Sequence, residues 1–139
     1  RWDGGTSALA SAIVAEFFKK HLDEHLAVTN AAVGAKCRAV VETLRKNVSD
    51  LCTWTEPRGG LFLWMHVPET TDMEKARELA AQHRVGYSNG SGFHYRGDPV
   101  KCIRLAYAYC HVDDVPEGIT YLCDAIREAQ VERMEIAAD

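Results

Sequence analysis

One arginine stands in the middle of an otherwise sheltered run, Lys101-Cys102-Ile103-Arg104-Leu105-Ala106-Tyr107-Ala108-Tyr109-Cys110. Its β-branched, aromatic and small neighbours read as a buried strand. Arginine does not shed its charge, so a sheltered one needs an anionic partner. The planar guanidinium matches a carboxylate through two parallel hydrogen bonds. Arg104 is therefore either half of an internal ion pair or the receptor for a carboxylate ligand.

Other segments carry weaker chemistry. His21-Leu22-Asp23-Glu24-His25 matches H-x-x-E-H, and two histidines four apart on a helix can grip zinc. Here they sit among Lys19, Lys20, Asp23 and Glu24, the composition of a solvated helix face, and no third ligand is evident. Asn89-Gly90-Ser91-Gly92 has the flexibility to cradle a phosphate, but it lacks a P-loop lysine and the dinucleotide spacing. Arg96-Gly97-Asp98 matches an integrin-binding tripeptide and reads as chance in a chain with free cysteines. Trp2, Trp54 and Trp64 read as core or edge residues, since no basic groove accompanies them. No Ser-His-Asp or Cys-His arrangement has supporting context in the sequence.

The 139 residues carry a net charge of −4, with 47% hydrophobic and 26% charged residues. That balance is globular, and without a basic block it gives no electrostatic reason to expect nucleic acid or a membrane surface as partner. The longest apolar stretch, residues 61–67, is far too short to span a bilayer, and no basic start followed by an apolar run marks a secretion signal. Cys37, Cys52, Cys102, Cys110 and Cys123 are odd in number and lack C-x-x-C spacing. Free thiols in a reducing cytoplasm are the expectation. A chain starting at Arg1 rather than Met is expected to be trimmed or the tail of something longer.

The elements that position Arg104 follow from periodicity. Thr6 or Ser7 caps a helix in which Leu9, Ile13, Phe17 and Val14, Phe18, Leu22, Leu26 fall on neighbouring rows. Thr29-Asn30 bends or interrupts it, and Val33, Cys37, Val40, Val41, Leu44 and Val48 face inward beyond. Residues 1–50 are thus a long helical arm and residues 51–139 a small α+β domain. In that domain, strands are expected over residues 51–55 and 61–67, the latter apolar on both faces apart from His66. A helix opens with a Thr71–Glu74 capping box and runs to about Arg84. Residues 85–88 form a short strand, residues 89–99 a glycine-rich loop, and then comes the Arg104 strand. Asp113 or Asp114 caps a last helix, with Pro116 in its first turn and Ile119, Leu122, Cys123 and Ile126 inward. The predicted fold class is α+β: a small mixed or antiparallel sheet of about four strands, helices packed on one face, after a long helical arm.

Several of these pieces recur together. Asp3-Gly4-Gly5-Thr6-Ser7 opens a helix, and Pro57-Arg58-Gly59-Gly60-Leu61-Phe62-Leu63-Trp64 makes a turn and strand. Val85-Gly86-Tyr87 leads to Asn89-Gly90-Ser91-Gly92-Phe93, followed by Ile103-Arg104-Leu105-Ala106-Tyr107 and Pro116-Glu117-Gly118-Ile119. In this order the chain resembles the C-terminal small domain of class I/II pyridoxal-phosphate-dependent aminotransferases, fold type I, over nearly its whole length.

The resemblance implies that Arg104 holds the α-carboxylate of an amino acid or 2-oxo acid. It further implies that Gly60 and Phe93 belong to the lid or pocket around it. Pyridoxal 5'-phosphate is the cofactor of the parent family, and none is expected on this chain alone. The Schiff-base lysine and the large cofactor-binding domain lie upstream in that family, and the six lysines here match none of those positions. Asn89 replaces a family proline, so loop stiffness departs from the pattern. The implied function is that of the C-terminal domain of an aminotransferase, inactive as this piece. Its partners would be amino acid and 2-oxo acid, with either a homodimer or a missing large domain. The alternatives are a stand-alone carboxylate-binding or self-associating module, the effector domain of an aminotransferase-like transcription regulator, and a zinc hydrolase built on His21 and His25.

Overall fold

A computed structural model describes residues 5–131. The described residues fall into two compact units, divided between Ala32 and Val33. The Asp3-Gly4 part of the opening motif, Trp2 and Arg1 lie outside the described residues.

One helix, α1 (Ala8–Val48), runs for 41 residues. Ser7 opens it, accepting the Ser11 amide at its carbonyl (2.9 Å) and the Ala10 amide at its hydroxyl (3.4 Å). The expected interruption at Thr29-Asn30 does not occur: the helix continues through both residues. They are followed by Ala31 and Ala32, strong helix formers, and two weak ones do not outweigh a cooperative ladder. Within the first unit the apolar rows stand exposed, from Leu9 at 72% and Ile13 at 61% to Leu26 at 42%. Within the second unit Val40, Val41, Leu44 and Val48 are buried, as their spacing requires.

The second unit holds a four-stranded sheet in the order β1-β2-β4-β3, antiparallel throughout: β1 (Thr53–Trp54), β2 (Phe62–His66), β3 (Ser88–Asn89) and β4 (Cys102–Ala106). Side chains alternate across it. Leu63, Met65, Ile103 and Leu105 bury one face against Val40, Leu44, Leu122 and Ile126 of the helices. Phe62, Trp64, Cys102 and Arg104 take the opposite face. β1 and β3 are shorter than their sequence runs and β3 starts later. The Val85 amide instead donates to Ala80 O (3.0 Å), closing the preceding helix with Arg84 in the left-handed conformation (φ 58°).

That preceding helix is α2 (Met73–Gln82), and its cap differs from the expected box. Asp72 is the N-cap, its carboxylate accepting the Glu74 and Lys75 amides at 3.0 Å each. Thr71 is buried, and its hydroxyl accepts from the Gln130 side-chain amide at 3.0 Å. The carboxylate one residue later has the better reach, and Thr71 serves the join to the end of α3 (Val115–Glu128) instead. In α3 Pro116 sits in the first turn and Leu122, Cys123 and Ile126 are buried, with Ile119 partly so. Asp114 stands at its N-cap without a side-chain cap bond, after a short 3-10 turn, Val112–Asp114.

Candidate functional site

Arg104 lies at the centre of β4, opposite Trp64 of β2 and Ser88 of β3. The strand ladders on both sides fix its Cα, and alternation aims its side chain away from the helix-covered core. Its guanidinium is held between two rings, 4.4 Å from the Phe62 centroid and 4.2 Å from that of Phe93. Both rings are about half exposed. Phe93 also meets Trp64 edge-on at 5.9 Å, so the ring over the guanidinium is itself packed against β2.

The polar edge of the fork is poorly occupied. Nη2 donates a long bond of 3.4 Å to Ser88 Oγ, and Nε is buried with no partner. No carboxylate pairs with Arg104 among the described residues. Of the two sequence readings, the internal ion pair therefore has no candidate partner there. A sheltered cation with an unpartnered N–H is suited to an anion from outside, and a planar carboxylate fits the fork.

Phe93 comes from a 3-10 turn, Gly90–Phe93. Asn89 accepts the Ser91 amide at its side chain (3.0 Å). Ser91 Oγ in turn accepts the Val100 amide (3.0 Å), closing the loop across its base. The Ser91 amide is thus engaged within the loop, which weakens the phosphate-cradle reading. Gly90 is the tightest point, since a Cβ there would lie 2.7 Å from Cys102 Cβ, 2.9 Å from Cys102 O and 3.1 Å from Trp64. Only glycine lets the turn settle on the sheet. Gly60 holds a left-handed φ of 87°, and its carbonyl accepts the Tyr107 hydroxyl at 2.9 Å, tying the β1–β2 turn to the strand of Arg104. Sequence reasoning missed Phe62 and Ser88; their positions beside Arg104 depend on register, which no local pattern states.

His21 and His25 are grouped about Phe17, at 5.1 and 5.8 Å, and no group of three metal-ligating residues occurs among the described residues. A cavity of about 680 Å³ opens on the helix side, lined by His83, Arg84, Leu105, Tyr107 and Tyr121, without Arg104. Its charged groups are exposed, whereas the unpartnered N–H lies on the other face, so the candidate site is placed at Arg104. The lysines offer Arg104 no amine. Lys36, Lys75 and Lys101 donate to the carbonyls of Ala108, Glu128 and Thr71, Lys19 pairs with Glu16, and Lys20 and Lys46 lie on α1.

The chain belongs to the aminotransferase class I and II family, whose model matches residues 4–126. It is 30% identical over 108 residues to aromatic-amino-acid aminotransferase 1 of Thermococcus litoralis, covering 78% of this chain and 26% of that protein. It is 27% identical over 127 residues to the uncharacterized HTH-type transcriptional regulator YdfD of Bacillus subtilis, covering 91% and 26%. Among solved structures it is similar to the alpha-aminoadipate aminotransferase LysN of Thermus thermophilus, complexed with N-(5'-phosphopyridoxyl)-L-leucine. That match has a TM-score of 0.76 and 27% identity, over 84% of this chain and 30% of the other. The chain therefore spans roughly a quarter to a third of the relatives it matches.

Proposed function

We propose that this chain is the small-domain portion of an aminotransferase, with Arg104 as the clamp for the α-carboxylate of an amino acid and its 2-oxo acid. The observation that carries the reading is the guanidinium fixed between Phe62 and Phe93 with Nε buried and unpartnered. A fork flanked by two rings loses less rotational freedom when it binds, and it would orient the Cα–H bond of a substrate for proton removal. Gly60 and Phe93 belong to the pocket on this reading. Pyridoxal phosphate supplies the electron sink for amino-group transfer when bound, and the residues that hold it lie outside this chain.

The apolar rows exposed in residues 9–28 support packing against a further domain or a second copy. Domain bounds of 1–50 for the arm and 51–139 for the α+β part, a cytoplasmic setting and lack of activity as this portion alone belong to the same proposal. No helix among the described residues is long and apolar enough to cross a membrane.

A second reading is supported by the match to YdfD over 91% of this chain: the effector portion of a transcription regulator, in which the clamp senses an amino or oxo acid. Purification of the native polypeptide from its source separates the two. On the first reading it carries a Schiff-base lysine and transfers amino groups, and Arg104→Gln lowers kcat/KM roughly a hundredfold through lost charge-assisted hydrogen bonds. An upstream helix-turn-helix with no transfer activity would favour the second.

A further inference from the structure

The sheet face of Arg104 carries a second chemically matched pair. Cys102 and His66 are direct register partners across β4 and β2. The Cys102 sulfur lies 3.0 Å from His66 Nδ1. Cys102 is only 6% exposed, whereas its partner His66 is exposed. An imidazole nitrogen at this distance can accept the thiol proton, and the thiolate is the reactive nucleophile. Arg104 stands two residues along the same strand face, ~7 Å away by strand geometry.

Cys52, Cys123 and Cys110 lack this setting. Cys52 and Cys123 are buried in the core, and burial pushes their thiols up to about 11 and about 12. Cys110 is exposed and forms no such pair with a histidine. The neighbourhood of Cys102 is also tight, because Gly90 rests on it closely enough that a methyl group would not fit. Gly90 begins the turn that ends in Phe93, the ring over Arg104.

We infer that Cys102 and His66 form a peroxide-reactive thiol–imidazole pair, and that oxidation at Cys102 displaces the Gly90–Phe93 turn. The Cys102 sulfur attacks one oxygen of the peroxide; an S–O bond forms and the O–O bond breaks. The thiol proton passes to His66 Nδ1 and then to the departing oxygen. With hydrogen peroxide the products are Cys102 sulfenic acid and water, sulfur being oxidised by two electrons and peroxide reduced by two. Gly90 rests on the Cys102 Cβ, one bond from the sulfur, and the bulk added by oxidation lifts the turn and carries Phe93 with it.

The test exposes the full chain to hydrogen peroxide, traps sulfenic acid with dimedone and maps it by mass spectrometry. Cys102 should label at least about tenfold faster than exposed Cys110 in the same sample, and His66→Gln should slow Cys102 about tenfold. Amide exchange over residues 90–100 should rise after oxidation. The comparison with Cys110 needs no variant, so it stands even if His66→Gln disturbs the fold. Slower labelling of Cys102 than of Cys110, or an unchanged rate in a folded His66→Gln variant, overturns the pair. Unchanged exchange after complete oxidation overturns the coupling to the turn. Any effect on ligands rests on the Arg104 reading. Carboxylate titration of the reduced protein separates the two: its failure speaks against Arg104 and leaves the thiol readouts standing.

Discussion

The guanidinium of Arg104 lies 4.2 Å from the ring centroid of Phe93, a residue that reaches it from a turn instead of a strand. A cation over a half-exposed ring gains about 0.5–1 kcal/mol, and more when water is excluded. In a double-mutant cycle of Phe93→Ala and Arg104→Gln, read by urea denaturation, a coupling of about 0.5–1 kcal/mol is expected. Additive single effects would show that the ring only covers the arginine without holding it.

Gly90→Ala puts a methyl group against the Cys102 backbone carbonyl at 2.9 Å and its Cβ at 2.7 Å. Neither is the far end of a flexible side chain, so the turn itself must move. A loss of about 1–3 kcal/mol is expected in chemical denaturation, with increased exchange at the Ser91 and Val100 amides. Wild-type stability in this variant would mean the turn is not seated on β4.

The start of α2 separates two capping schemes that look alike in sequence. Asp72→Ala should cost about 1 kcal/mol, since the Asp72 carboxylate accepts two helix amides. Glu74→Ala should cost less, because the Glu74 carboxylate bonds exposed Arg77 and not the backbone. The reverse ranking in thermal melts would restore the Thr71–Glu74 box.

Alkaline pH should unfold the second unit through its core thiols and Tyr87. Burial raises Cys52 from 9.0 to about 11, Cys123 from 9.0 to about 12 and Tyr87 from 10.0 to about 12. The unfolded chain therefore releases these protons first as pH rises. The stability from keeping them neutral is complete below pH 9 and is lost as pH climbs through 11 to 12. Urea midpoints measured from about pH 8 to about pH 11.5 should fall steadily above about 9, and Cys123→Ala should flatten part of the fall. A midpoint constant over that range would contradict the burial of these groups.

Much of the fold was legible because its core obeys simple periods. Val40, Val41, Leu44 and Val48 follow the helical spacing, and Leu63, Met65, Ile103 and Leu105 alternate with the residues of the open face. Arg104 was legible as a charge in an apolar strand, and Phe93 entered through the family resemblance. Phe62, Ser88 and the His66–Cys102 pair were not legible, because each meets its neighbour only through the antiparallel register of β2, β3 and β4. A helix break at Thr29-Asn30 was expected from local propensity, which helix cooperativity overrode.

The central claim is that the Arg104 fork receives a carboxylate, and the Nε–H of Arg104 reports it directly. Titration of the ¹⁵N-labelled chain with 2-oxoglutarate, followed through the arginine side-chain Nε–H signals, tests it. The account predicts one saturable shift, assigned to Arg104 by its loss in Arg104→Lys, with other arginines unmoved. An Arg104 Nε–H signal that does not respond, or a response that persists in the variant, would contradict it.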